Sequence, residues 1–257
     1  MITSTRCPFL PAVCILAAIL AGCAGPSADR RKEADARMRM GVTYLEQRNL
    51  PAAMRELTKA SELDPGNPEV DMALGLAYQA RGDLSKAEEH LRRAIEKKPD
   101  YADARNNLGI VLAERKAWDE AIREFEAAAA NVMYTTPERA HFNLGEAYRA
   151  KGDPANAEAA YRRALRVNER YAPAYTALSG VLGAGGKWND AASILARCVE
   201  VLPDYAPCWM DLGRAWLRLS RPADALKAFE KVLEVSSDPG LRKQAASYVT
   251  LLGSGKR

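Results

Sequence analysis

The sequence predicts an all-α protein, built of six stacked pairs of antiparallel helices and closed by a C-terminal capping helix. Three observations carry that prediction. Small residues preceded by Leu or Met recur at Gly41, Gly75, Gly109, Gly145, Ser179 and Gly213, at spacings of 34, 34, 36, 34 and 34 residues. Alanine stands twelve residues after each, at Ala53, Ala87, Ala121, Ala157, Ala191 and Ala225, and a large apolar residue four further on, at Leu57, Leu91, Phe125, Tyr161, Leu195 and Phe229. Composition agrees, since 48% apolar, 27% charged and only 7% aromatic residues describe an ordered helical chain. A period of this length marks repeat architectures, in which one unit cannot bury its apolar faces alone and stacking supplies the core.

The chain opens on a leader. Arg6 precedes an apolar run from Phe9 to Leu20, too short to cross a bilayer, and Leu20-Ala21-Gly22-Cys23 follows. The tetrapeptide resembles the bacterial lipobox. That resemblance implies that residues 1–22 are a lipoprotein signal peptide, that Cys23 becomes the lipidated first residue, and that Ala24, standing where Asp would retain the protein at the inner membrane, directs it to the outer membrane. Each acyl methylene buried would stabilise such an anchor by about 0.8 kcal/mol. Residues 23–33 read as the lipidated terminus and a tether, with a helix start at Ser27 or Asp29.

The repeats occupy residues 34–239. Three positions after each small residue stands a large one (Tyr44, Tyr78, Leu112, Tyr148, Leu182, Trp216), so that the small residues let two helices approach and the large ones fill the gaps around them. Pro65, Pro99 and Pro203 close units, because proline cannot continue a helix yet fits in a first turn. The pattern resembles the tetratricopeptide repeat, which implies a right-handed superhelix. Two irregularities interrupt it. The junction from Asn131 to Glu138 is two residues longer than the others, which predicts a widened loop. In the fifth unit Gly180, Gly183, Gly185 and Gly186 crowd the end of the first helix, each costing up to about 1 kcal/mol relative to Ala, so that unit should be the softest. The run from Gly183 to Trp188 is not a phosphate-binding loop: no Ser or Thr follows Lys187 and no strand precedes it. Residues 240–257 are expected to form the capping helix and tail.

Function classes narrow quickly. The 37 Lys and Arg against 33 Asp and Glu are interspersed, leaving no electrostatic footprint for nucleic acid. His90 and His141 fall at unrelated repeat positions and read as bystanders, so no metal site, no cofactor and no enzyme are expected. Acidic residues look like solvated helix faces, Glu89 with Arg93 for instance, and Trp118, Trp188, Trp209 and Trp216 read as core fillers. Cys198 and Cys208, ten residues apart across a proline-containing turn, either pair in an oxidising compartment or are two small buried apolar residues.

A binding surface remains. In the repeat family that this chain resembles, the first helix of each unit lines a concave face. The corresponding positions here are Met38, Val42, Leu45, Met72, Leu76, Asn106 and Ile110 in units one to three, and Glu146, Arg149, Gly180, Gly183, Arg214 and Arg218 in units four to six. Met38 and Val42 stand where a related group uses Lys and Asn to clamp a peptide carboxylate. An aliphatic and Met-rich row is an adaptable dock for an amphipathic segment. The lipobox, the repeats and the cap, with Asn106-Asn107-Leu108-Gly109 and the Tyr134-containing junction, resemble the type IV pilus biogenesis and stability lipoproteins known as pilotins. Glu169 in place of a unit-ending proline departs from the repeat pattern. The resemblance implies a monomeric, periplasm-facing outer-membrane lipoprotein that binds an amphipathic segment of secretin subunits and promotes their assembly for twitching or gliding motility. A scaffold for cell-wall or other envelope machinery would share the same fold.

Overall fold

A computed structural model describes residues 26–254, so the leader and the expected lipidation site Cys23 lie outside the described residues. Thirteen helices follow one another within that span: α1 (Ala28–Glu46), α2 (Leu50–Leu63), α3 (Pro68–Ala80), α4 (Leu84–Lys97), α5 (Ala102–Glu114), α6 (Trp118–Ala130), α7 (Pro137–Lys151), α8 (Pro154–Val167), α9 (Ala172–Ala184), α10 (Trp188–Val201), α11 (Ala206–Arg218), α12 (Pro222–Val235) and α13 (Pro239–Ser254). Side-chain caps start several of them. Asn67 accepts from the amides of Glu69 and Val70, Asp83 from Lys86 and Asp153 from Asn156, while proline occupies the first turn of α2, α3, α7, α8, α9, α11 and α12.

Each unit is interlocked through its small residue. A Cβ on Gly109 would stand 2.5 Å from Phe125, one on Gly213 2.5 Å from Phe229, and one on Gly41 or Gly75 2.6 Å from Leu57 or Leu91. The ring or branched side chain sixteen residues on thus lies against bare backbone, and the pair packs as closely as backbone allows. Consecutive helices touch throughout. Odd-numbered helices also touch from unit to unit (α1 with α3, α3 with α5, and on to α11 with α13), whereas even-numbered ones do not meet each other among the described residues. The stack therefore curves into a superhelix with the odd row on its inner face.

Every turn between the two helices of a unit contains one residue with positive φ: Arg48, Gly82, Lys116, Gly152, Gly186 and Ser220. Three of them are glycines, which adopt this conformation freely; the others carry the steric cost of a side chain there.

The structure corrects some of these expectations and meets others. Residues 28–33 are not tether but the first turns of α1, because the Ser27 hydroxyl accepts from the Arg30 amide and Asp29 sits where the helix dipole favours a negative charge. The cap begins at Pro239, and Tyr248 stacks on Phe229 with ring centroids 4.4 Å apart. The four tryptophans are half-buried, and Trp188, Trp209 and Trp216 pack against the buried core of the last units. The α6–α7 junction, residues 131–136, is two residues longer than that between α4 and α5, and it closes over buried Tyr134, which packs with Ala102, Ala128 and Ala140. The sulfurs of Cys198 and Cys208 are 2.01 Å apart, a disulfide joining α10 to α11 inside the core. Among the described residues no helix is long and apolar enough to cross a membrane.

Candidate functional site

The inner face divides into two halves. In the first, the expected row of apolar residues is largely committed to the core: Met38 and Leu45 pack on the cluster of Leu57, Val70 and Leu74, Met72 packs beside Leu91 and Tyr101, and Ile110 packs on Leu108 and Phe125. Leu76 is half-buried. Of this row only Val42 is exposed, at 37%, and Met40, two residues before it, is 47% exposed. Asn106 is not a groove residue at all, because it is buried and accepts a 3.0 Å hydrogen bond from the Asn143 amide, which ties α5 to α7. Gln79 makes the matching link from α3 to Glu114 of α5 at 2.6 Å.

Open space lies in the second half. A hollow of about 830 Å3 is bounded by Phe142, Glu146 and Arg149 of α7, by Thr176, Gly180 and Val181 of α9, and by Tyr205. A second, of about 340 Å3, continues past Thr176 and Gly180 to Trp188, Asp211, Arg214, Arg218 and Tyr248 of the cap. The glycines that break the pattern of the fifth unit explain this shape. A Cβ on Gly180 would meet nothing within 4 Å, so the missing side chain is the opening itself, whereas a Cβ on Gly183 would stand 2.7 Å from the Trp188 ring, which packs against the bare backbone there.

Charge in these hollows is held in fixed pairs. Glu146 accepts from the Tyr161 hydroxyl and from Arg149, both at 2.5 Å. Burial alone would raise its pKa, but these two hydrogen bonds and the Arg149 charge outweigh it and hold the carboxylate below its usual range. Asp211 behaves oppositely: burial pushes its pKa up despite the Arg214 guanidinium 2.9 Å away. Arg214 also donates to Gln244 of the cap at 3.0 Å, and Arg218 lies 5.4 Å from the centre of the Trp188 ring. Arg214 and Arg218 thus stand beside the aromatic and apolar wall of the smaller hollow, Arg214 already paired with Asp211. Among the described residues no group of three or more His, Cys, Asp or Glu could hold a metal.

One polar cluster escaped sequence reasoning. Asp71 of α3, 1% exposed, accepts from His90 Nδ1 at 2.9 Å, pairs with Arg93 at 3.3 Å and binds Lys97, while His90 stacks on Tyr78 with centroids 5.2 Å apart. Arg93 therefore turns toward Asp71 across the helix pair, correcting its expected pairing with Glu89. The available signal was the spacing of 90, 93 and 97, which places three bases on one side of α4.

The sequence matches the tetratricopeptide repeat pattern over residues 72–134 and 176–241, and again over residues 138–171. The chain belongs to the tetratricopeptide repeat family. This tetratricopeptide repeat protein is 29% identical over 163 residues to the type IV pilus assembly protein PilF of Pseudomonas aeruginosa, the match covering 62% of this chain and 65% of that relative. It is also 29% identical over 119 residues to an uncharacterized protein of Haemophilus influenzae, covering 45% of this chain and 66% of the other. The matched stretches thus span just under two thirds of either relative's own length. Among solved structures, Pseudomonas aeruginosa PilF superposes with a TM-score of 0.69 at 21% identity, over 85% of this chain and 99% of that one. PilW, described as a widely conserved type IV pilus biogenesis factor, superposes with a TM-score of 0.68 at 22% identity, over 82% and 97%. At those identities the superpositions show a shared fold.

Proposed function

We propose that this protein is a pilotin, an outer-membrane lipoprotein that binds secretin subunits and promotes their assembly into the pore of a type IV pilus. The observation that carries the reading is the similarity to the type IV pilus assembly protein PilF, which covers 62% of this chain. The Leu20-Ala21-Gly22-Cys23 lipobox supports it from the other end of the chain. Cys23 carries the lipid and holds a monomeric, periplasm-facing superhelix at the outer membrane. An amphipathic segment of the secretin, the kind of surface that aggregates in water, is covered by the inner face of the first three units, where Val42 is exposed and Leu76 half-buried, until it reaches the bilayer or its neighbours in the ring.

The test is the doubly charged variant Val42→Asp with Leu76→Asp. Heat-resistant secretin multimers should disappear from outer membranes while circular dichroism and lipidation stay unchanged. Normal multimers in that variant, with loss on charge reversal of Arg149, Arg214 and Arg218, would move the binding site to the hollows of units four to six. Multimers that persist when the gene is deleted would overturn the reading.

A further inference from the structure

We propose that the turn tip formed by Val132 and Met133 is a membrane-contact point that dips into the phospholipid surface, an inference that rests on the anchoring of Cys23 proposed above. Val132 and Met133 are 94% and 81% exposed, more than Leu251 at 67% or Val167 at 48%. Scattered apolar residues on a surface need no explanation, but two adjacent ones held outward by a built turn do. Asn131 builds the turn. Its Oδ1 accepts from the Met133 amide at 2.8 Å, its Nδ2 donates to the Asp100 carbonyl at 2.6 Å, and its carbonyl accepts from the Tyr134 amide at 3.0 Å. Tyr134 is buried as the plug beneath, so the two residues that lengthen this junction cannot fold back onto the core.

The place of the tip says what it meets. Because the helices alternate in direction, every odd helix begins on the same edge of the stack, and the junctions between units lie along that edge. Contacts run along it from the start of the described chain: Arg30 of α1 donates to the Glu62 carbonyl at 3.3 Å, Lys98 pairs with Glu69 at 3.6 Å, Asn131 reaches Asp100, and Asn168 donates to Glu138 at 3.4 Å. Cys23 is five residues from Ala28, a reach of at most about 18 Å for extended chain. A lipid on Cys23 therefore draws toward the bilayer the edge that carries Val132 and Met133. Val167, at the end of α8, stands at the next junction along the same edge. A lipid surface needs no complementary shape, which suits a small protruding apolar pair better than a protein groove would.

The experiment uses the full lipidated chain carrying Met133→Cys. Cys7 and Cys14 leave with the signal peptide, Cys23 is acylated and Cys198 and Cys208 are bonded to each other, so the new thiol alone takes a polarity-sensitive fluorophore. The labelled protein is reconstituted into vesicles of phosphatidylethanolamine and phosphatidylglycerol, with flotation reporting the anchor and spin-labelled lipid reporting the tip. The label at 133 should shift to the blue and be quenched. The same label on Ser85→Cys, exposed in the first turn of α4 on the opposite edge, should do neither. Adding Val132→Asp to the Met133→Cys chain should abolish the shift. Flotation without quenching at 133 overturns the tip alone, and so does a shift that requires added outer-membrane proteins, which would mark a protein contact. Failure to float overturns the anchor and the orientation drawn from it.

Discussion

One edge of the Tyr161 ring lies against the backbone of Gly145, so close that a Cβ on the glycine would stand 2.5 Å from Tyr161 Cε1. This contact recurs in four other units with Leu or Phe in place of the ring. In the fifth, Ser179 takes the glycine's place, its hydroxyl turned to the Thr176 carbonyl at 2.9 Å.

Gly145→Ala is accordingly expected to destabilise the fold by about 1–3 kcal/mol, as overpacking of a rigid core does. Gly180→Ala, also within a helix but facing open space, should instead stabilise by up to about 1 kcal/mol through helix propensity while narrowing the hollow. Urea unfolding of the two variants gives opposite shifts of midpoint if the glycines play these different parts.

Lys116 holds a φ of 63° in the turn between α5 and α6, where Gly82 and Gly152 hold the same position in their units. Lys116→Gly should raise stability by up to about 1 kcal/mol, the steric relief being partly offset by the freer unfolded chain. A lowered unfolding midpoint would show that the lysine side chain contributes more than its backbone costs.

Asp71 is held below the usual carboxylate range. Burial acts in the other direction, but hydrogen bonds from His90 and Lys97 and the charges of Lys97 and Arg93 outweigh it. A pKa lower in the folded than in the unfolded chain stabilises the fold at neutral pH, and that contribution fades as pH falls from the usual carboxylate range through the folded value. Asp71→Asn should cost about 1.5–3 kcal/mol at neutral pH and flatten the acid limb of stability against pH, as followed by denaturant midpoints across that range.

His141, by contrast, favours its neutral form, through burial first and then the nearby charges of Arg163 and Arg166, and its Nδ1 is buried without a hydrogen-bond partner. The lowered pKa makes the fold lose stability as pH drops below the ordinary histidine value. His141→Leu should remove that dependence between about pH 7 and pH 5. An unchanged slope in calorimetric midpoints would assign the pH dependence to other groups.

Reduction of the Cys198–Cys208 disulfide opens a loop of sequence separation 10. The chain-entropy relation gives about 2.7 kcal/mol for a loop of this size. Thermal unfolding with and without reductant should differ accordingly. Cys198→Ala with Cys208→Ala should behave like the reduced protein.

The glycine-rich fifth unit shows how far the pattern could be read. Its glycines look like a string of weak points in the sequence, yet in space they divide: Gly183 admits Trp188, Gly186 supplies the positive φ of the turn, and Gly180 leaves the inner face open. The apolar row of units one to three was legible as positions on the inner helices, but most of it is half-buried against neighbouring helices. Exposure depends on the curvature of the stack, which no single unit encodes.

Periodicity alone determined that the chain is a stack of helix pairs, where each helix begins to within a few residues, and which small and large residues interlock, because these follow from contacts local to one unit. The two hollows, the Asp71 cluster, the burial of Asn106 by Asn143 and the shared edge of Asn131 with Asp100 were decided only by the tertiary structure. Each joins residues 19 or more positions apart in different helices or junctions, and their meeting depends on how successive helices are set against one another, which the repeat pattern does not spell out.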